Sequence, residues 1–567
     1  MKLGLYPKLA FSGIRKNSRL YLPYILTCIG MVMMYYIVKF LACSEKIRKM
    51  NGGGAIVSTL GLGSVVIAVF ALIFLFYTNS FLIRRRNREF GLYSILGMGK
   101  LNIGRILFWE TLITAVISLA AGLFLGILLS KLAELALVNI MHSKATLDFS
   151  VDGRSVYYTA LTFAVIFLII LIRNLVRVQS ANPKELMASE SSGEKPPKAN
   201  WGLGLLGLVI LAAAYYIAVI IKDPVSAMMM FFIAVIMVIV ATYILFISGS
   251  VVLCRVLQKN KGYYYKPDHF VSVSSMAYRM KRNGAGLASI CILATMVLVT
   301  VSSTTCLYFG AEDSLKNRYP REISVTVKGE EALGEGKIAA MREMIIQTAK
   351  EAGAEPRGVY DSGAEAAAGG QESDGSRWSC EFDTGLDEEG QISLYYGLEK
   401  AMAANSVPGG CCSDIDYYSI EGRAVNRGDF YGTYGGLFFL GLMLSAVFIC
   451  AAVLIIYYKQ ISEGYEDQAR FDIMQKVGMT KKNIRRSINS QLMTVFYMPF
   501  VFACIHLAFA FPMIEKILRL FNLNNVWLFA FATVISVAVF ALLYTLVYRA
   551  TSNAYYAIVS GAREESA

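Results

Sequence analysis

The sequence predicts an all-α polytopic membrane protein of about ten transmembrane helices, interrupted once by an α+β extracytoplasmic domain. Three observations carry this. Of 567 residues, 56% are hydrophobic and 17% charged, with mean hydropathy +0.51, a balance too apolar for a soluble globular chain. Ten apolar runs each approach or exceed the ~20 residues a helix needs to cross a hydrocarbon core. The charge is also divided: residues 309–434 hold 23 acidic and 12 basic side chains, a net of −11, in a chain whose total is +13.

Residues 1–59 comprise a basic, amphipathic approach and a first span at 20–42, whose apolar stretch is too long for a cleaved signal and is expected to stay as an anchor. Residues 60–180 form a three-span unit (58–82, 106–135, 155–175) with a basic segment at 84–105. Residues 181–308 add spans at 202–221, 227–254 and 286–308, and residues 309–434 form the polar domain. Residues 435–567 form a second three-span unit (435–458, 490–512, 526–548) with a basic segment at 459–489 and a short tail. The lysines and arginines of the N-terminal segment and of four alternate connections fall on one side, so the positive-inside rule predicts a cell membrane location with both termini cytoplasmic. Lys46, Arg48 and Lys49 are the minority on the other side. Because the cations flank spans, they point to membrane lipids and not to nucleic acid.

Other classes are disfavoured by what the residues lack. Gly99-Lys100 has Ser94 where a P-loop needs its first glycine and Leu101 where it needs Ser or Thr, and Gly336-Lys337 has Glu331 at the glycine position. The chain is therefore expected to hydrolyse no ATP itself. With three histidines and neither an HExxH nor a CxxC pattern, a metal site is not expected. Asp414 and Asp416 read as a solvated strand or turn. The span interiors are almost free of charge, so no polar conduit for a hydrophilic solute is visible. Seven of ten cysteines lie in or beside spans, while Cys380 is placed to bridge either Cys411 or Cys412, or to stay reduced with them.

The most informative feature is a repeat. Glu89–Glu110 "EFGLYSILGMGKLNIGRILFWE" aligns without a gap to Arg470–Gln491 "RFDIMQKVGMTKKNIRRSINSQ", with seven identities in 22 positions. They include Phe90/Phe471, Gly97/Gly478, Met98/Met479, Lys100/Lys481 and Arg105/Arg486. Each copy reads as a short surface helix, a glycine break at Gly97 or Gly478 suited to a left-handed cap, and a helix rising into the next span. Basic residues follow the break, which favours docking of a cytosolic partner over contact with lipid alone.

"RNREFGLYSILGMGKLNIGRILFWE" resembles the cytoplasmic motif of FtsX-like permeases, the MacB-type membrane subunits of ABC transporters. The matching positions are Arg86, Glu89, Gly91, Leu92, Gly97, Met98, Lys100, Arg105 and Glu110. The resemblance implies that Arg86, Glu89, Phe90, Gly91, Gly97, Met98, Lys100 and Arg105, with Phe471, Gly478, Met479 and Lys481 of the second copy, couple the chain to an ABC ATPase dimer. ATP and Mg²⁺ would then sit on that partner, and no cofactor on this chain. The second copy departs from the motif, with Arg470 and Asp472 at the Glu and Gly positions. Ten spans, two FtsX-like units and a domain between spans seven and eight further resemble the BceB-type permeases. That resemblance implies sensing of, and resistance to, cell-wall-active peptides such as bacitracin, often alongside a membrane histidine kinase. Its ligand would be a peptide antibiotic or a lipid-linked wall precursor, with Tyr417, Tyr418 and Tyr431 as candidate contacts. Extrusion of lipid or lipoprotein, or a sensory role toward a kinase or wall hydrolase, is the alternative.

Overall fold

The computed structural model describes residues 4–50, 52–141, 152–180, 200–259, 262, 267–329, 334–362, 377–406, 412, 415–476 and 481–559. An amphipathic helix α1 (Leu5–Lys16) breaks at Asn17 before α2 (Ser18–Cys43). A single turn, α3 (Glu45–Arg48), capped by Ser44, leads to α4 (Gly53–Ile95), α5 (Lys100–Ile140) and α6 (Gly153–Ser180). Then come α7 (Trp201–Ile220) and α8 (Pro224–Ile244), the latter opened by Asp223 accepting from Ser226 N–H and by proline in its first turn. A π-helical turn (Leu245–Gly249) passes into α9 (Ser250–Lys259), followed by α10 (Pro267–Phe309) and α11 (Ala311–Arg318). Ten described helices carry a stretch long and apolar enough to cross a membrane, matching the ten apolar runs one for one. The protein is a multi-pass membrane protein.

The polar insert is a sheet packed under two helices. Its order is β1 (Ile323–Gly329), α12 (Glu335–Glu351), β2 (Arg357–Ser362), β3 (Arg377–Asp383), α13 (Glu388–Asn405) and β4 (Ile415–Gly422). The strands align β2-β3-β1-β4 with every pair antiparallel, which is the split βαβ arrangement of ferredoxin-like sandwiches. Alternation produces the core: Ile323, Val325 and Val327 face inward from β1, and Trp378, Cys380 and Phe382 from β3. Met341, Ile345 and Ala349 of α12 and Leu394, Leu398 and Met402 of α13 recur at i, i+4 and i+8 to cover them.

The chain leaves this domain without a linker. Directly after Gly422 begins α14 (Arg423–Lys476), followed by α15 (Lys481–Leu520) and α16 (Val526–Val559). The 54 residues of α14 span about 80 Å at about 1.5 Å each, against a hydrocarbon core of ~30 Å. Residues 423–434, grouped above with the outer domain by composition, are its opening turns, so Tyr431 stands on a helix and not on the sheet. Arg423 donates to the Tyr319 and Pro320 carbonyls, and Arg427 bridges Glu312 of α11 and Glu388 of α13.

The two three-span units meet along α4 and α14. Gly52, in the left-handed region at φ 73°, lets the start of α4 approach the backbone of Gly428 and Gly432, where a Cβ would lie 2.2 Å from the Gly428 carbonyl oxygen. Further along, Phe70 meets Phe448 edge-on at 4.5 Å and Phe81 meets Tyr458 at 5.0 Å. At the opposite end of the bundle from the sheet, the Tyr458 hydroxyl donates to the Leu20 carbonyl.

Candidate coupling site at the α4–α5 turn

No proline or exposed glycine interrupts 83–95, so α4 continues past Gly53–Ile83, its stretch suited to hydrocarbon, as one helix of 43 residues. The separate surface helix expected from the sequence is thus the last turns of the span itself. They project roughly 18 Å beyond it.

The helix ends in a Schellman motif. Gly97 takes φ 90°, its N–H donates to the Ser94 carbonyl at 3.2 Å, and Met98 N–H donates to the Tyr93 carbonyl at 2.9 Å. Gly99 is extended, and α5 starts at Lys100. The left-handed cap expected at Gly97 is therefore present.

Arg86, Glu89 and Phe90 share a face of α4 at i, i+3 and i+4. Arg86 is 1% exposed, and its guanidinium is the hub of a buried cluster. It donates to the Tyr21 hydroxyl at 2.7 Å, to Glu89 Oε2 at 3.0 Å and to Glu110 Oε2, while lying over the Phe90 ring at 4.9 Å. Tyr21 itself donates to Glu110 Oε2 at 3.0 Å, and Asn17 Nδ2 donates to Glu89 Oε1 at 2.8 Å. Glu110 is 3% exposed, and its Oε1 accepts no hydrogen bond from a described residue. Among the described residues, Arg86 is thus the one cation neutralising a carboxylate taken out of water. Helix α1 crosses directly above: a Cβ on Gly13 would lie 3.1 Å from both Arg86 Nη2 and Glu110 Oε1.

This arrangement divides the sequence-predicted residues in two. Arg86, Phe90 and Gly91 are buried, and Glu89 is largely occupied by Arg86 and Asn17, so they hold the turn from inside. Met98 packs beside Tyr6, Ala10 and Ile106, Lys100 Nζ donates to the Gln179 carbonyl at 2.7 Å, and Arg105 lies over the Tyr6 ring at 5.6 Å. What faces outward is Gly97, Lys100 and an apolar set: Leu92, Ile95, Leu96 at 72% and Leu101 at 73% exposed. Of these, Ile95, Leu96 and Leu101 were missed by the sequence reading. Their signal was an apolar run continuing past a basic cluster, where a span has already ended. In the second copy, Gly478 and Met479 and the side chains of Phe471 and Lys481 lie outside the described residues.

In the sheet domain, Tyr417 is exposed, Tyr418 packs against the core, and Tyr431 donates to Glu312 Oε2 at 3.4 Å. Cys380 and Cys412 are both free thiols in the interior, so no bridge joins them; Cys411 lies outside the described residues. Burial, with the Asp361 carboxylate beside it, pushes the Cys380 thiol up to about 12. A further buried polar contact had no sequence signal beyond a histidine inside a span. His506 Nδ1 meets the Tyr215 hydroxyl at 2.6 Å and its Nε2 meets Thr242 Oγ1 at 3.2 Å, tying α7 and α8 to α15.

The family model for the FtsX-like permease C-terminal domain matches twice, at 61–183 and 442–555, each match containing one copy of the repeat. The chain carries two FtsX-like permease domains. The first of them contains the buried cluster apart from its α1–α2 partners, and both lie outside the sheet insert. Among curated proteins, the chain is similar to the uncharacterized ABC transporter permease YvcS of Bacillus subtilis, 23% identical over 56% of this chain and 49% of that protein. It is similar to the bacitracin export permease protein BceB of the same species, 25% identical over 61% of this chain and 54% of the relative. The ABC transporter permease protein YxdM is 21% identical, over 88% of this chain and 92% of the relative. The chain thus spans about half the length of the first two of these relatives and nearly all of the third.

Proposed function

We propose that this chain is the membrane permease subunit of an ABC transporter, and that an ATPase dimer encoded elsewhere docks on the exposed α4–α5 turn and its counterpart in the second unit. The observation that carries this is the division at the turn, with a buried ion cluster holding a rigid elbow that presents an apolar and basic tip beyond the membrane span. A tip loaded with Leu92, Ile95, Leu96 and Leu101 has no reason to stay in water unless a partner covers it. In this reading the basic ends of the helices are cytoplasmic, ATP and Mg²⁺ reside on the partner, and the sheet domain works outside. The 80 Å helix α14 joins that domain to the second copy of the repeat without a flexible link.

The outside work in this reading is target protection against cell-wall-active peptides; the name of the BceB relatives, bacitracin export permease, supports the class of peptide. The net charge of −11 over residues 309–434 raises the local concentration of a cationic peptide, and Tyr417 offers an exposed aromatic face. The peptide, or the lipid-linked wall precursor it binds, is the ligand, and a membrane histidine kinase is a further partner. Because Ile323 and Gly422 are paired in the sheet, residues 323–422 can be excised and closed with a short Gly-Ser link without moving α11 or α14. The expected result in cells carrying the chain and its ATPase is loss of peptide resistance with ATPase co-purification intact. Unchanged resistance to every cationic or wall-precursor-binding peptide overturns the recognition role and favours lipid or lipoprotein extrusion.

A further inference from the structure

Helix α1 has an inner face that is fully accounted for and an outer face that is not. Along the inner face every turn touches the elbow. The Tyr6 hydroxyl donates to Asn102 Oδ1 at 2.9 Å, Ala10 packs on Ile106, Gly13 lies over Arg86 and Glu110, and Asn17, just past its end, donates to Glu89. The outer face carries Lys8, Arg15 and Lys16, all exposed, with Phe11 58% and Leu5 38% exposed between and beside them. Helix α1 contains no Asp or Glu, and none of the three cations pairs with a described residue. One residue separates α1 from α2, and the membrane span begins at Leu20. Connectivity therefore sets the C-terminal end of α1, with Arg15 and Lys16, at headgroup depth.

We propose that the outward face of α1 binds the anionic headgroups of the adjoining leaflet, and that this contact sets how firmly α1 clamps the α4–α5 turn. Three cations with no partner among the described residues, beside an exposed phenyl ring, are the chemistry of an interfacial helix: the ring enters the acyl boundary and the cations stay with the phosphates. Each cation contributes roughly fivefold in affinity for an anionic surface. A helix fixed to the leaflet on one side holds Asn17, Gly13 and Tyr6 against the elbow on the other, so headgroup charge becomes an input to the docking tip. The lipid contact does not depend on an ATPase. Its consequence for coupling rests on the function proposed above, so the test uses the full chain without a partner.

The chain is placed in nanodiscs of phosphatidylcholine alone or with about one third phosphatidylglycerol, and amide exchange is followed across 96–102. The anionic lipid slows exchange there on the order of tenfold, and high salt removes the effect in the unaltered chain. The variant Lys8→Gln, Arg15→Gln, Lys16→Gln keeps its unfolding midpoint and shows no lipid response. Soluble glycerol phosphate added to the neutral discs changes nothing. Equal exchange in the two discs, a lipid response retained by the triple variant, or a response reproduced by glycerol phosphate each overturns the proposal.

Discussion

Replacing Arg86 by methionine removes, among the described residues, the only cation paired with Glu110, a carboxylate that is 3% exposed and has one oxygen with no described partner. Among the described residues, Glu110 is left with the Tyr21 hydroxyl alone. Stranding one member of a buried pair costs about 3–5 kcal/mol. The Glu89 contribution is small, because its side chain is 34% exposed and water screens it to a few tenths of a kcal/mol. Glu110→Met is milder at about 1–3 kcal/mol, since Arg86 keeps Glu89 as counterion and Tyr21 as acceptor. With Arg86→Met and Glu110→Met together, no charge is left unpaired in the interior, and the pair of similar volume returns to within about 1 kcal/mol of the natural chain. The cycle therefore shows a coupling of about 3 kcal/mol or more, well above the ~0.5 kcal/mol scatter of independent sites. The assay is reversible unfolding of the four chains in mixed micelles, with ATPase co-purification measured in parallel. Stability returns in the double variant but ATPase capture does not, because apolar side chains restore packing without the directional bonds that orient the elbow. An Arg86→Met cost below about 1 kcal/mol, or additive single changes, refutes the reasoning.

Further outcomes follow from the same geometry. Leu96→Asp, at a side chain 72% exposed, changes stability by less than about 0.5 kcal/mol yet abolishes ATPase co-purification, read by pull-down beside an unfolding curve. At Gly97, φ is 90° with nothing within 4 Å of a Cβ, so Gly97→Val costs about 1–2 kcal/mol from backbone strain alone and Gly97→Asn costs less, as unfolding midpoints will report. Cys380, interior and held protonated with its thiol near 12, resists a water-soluble maleimide at neutral pH in the folded chain and reacts once unfolded, as mass spectrometry will show. His506→Leu strands the Tyr215 hydroxyl in the membrane interior at a cost of about 1–3 kcal/mol, and adding Tyr215→Phe recovers most of it in the same unfolding assay.

Much of this protein follows from its sequence by itself. Hydrocarbon accepts a helix only when about 20 successive residues are apolar, a purely local demand, so all ten spans and the place of the polar insert are written in composition. Gly97 was legible for a similar reason: a left-handed cap is a property of one residue and its neighbours. The duplicated segment also marked where to look. What the sequence left undetermined is which way each side chain of that segment turns. Arg86 and Glu89 read as part of a surface helix because charge is normally solvated. Whether they are buried depends on partners such as Asn17 and Tyr21, which lie 72 and 89 positions from the acids they meet. The same holds for His506, whose two partners sit 291 and 264 positions away, and for the strand order of the insert, where β1 pairs with β3 and β4 and not with its neighbour in sequence. Only tertiary packing decides these cases, because a charge can leave water only where another element has already placed its counterion and its hydrogen-bond partners.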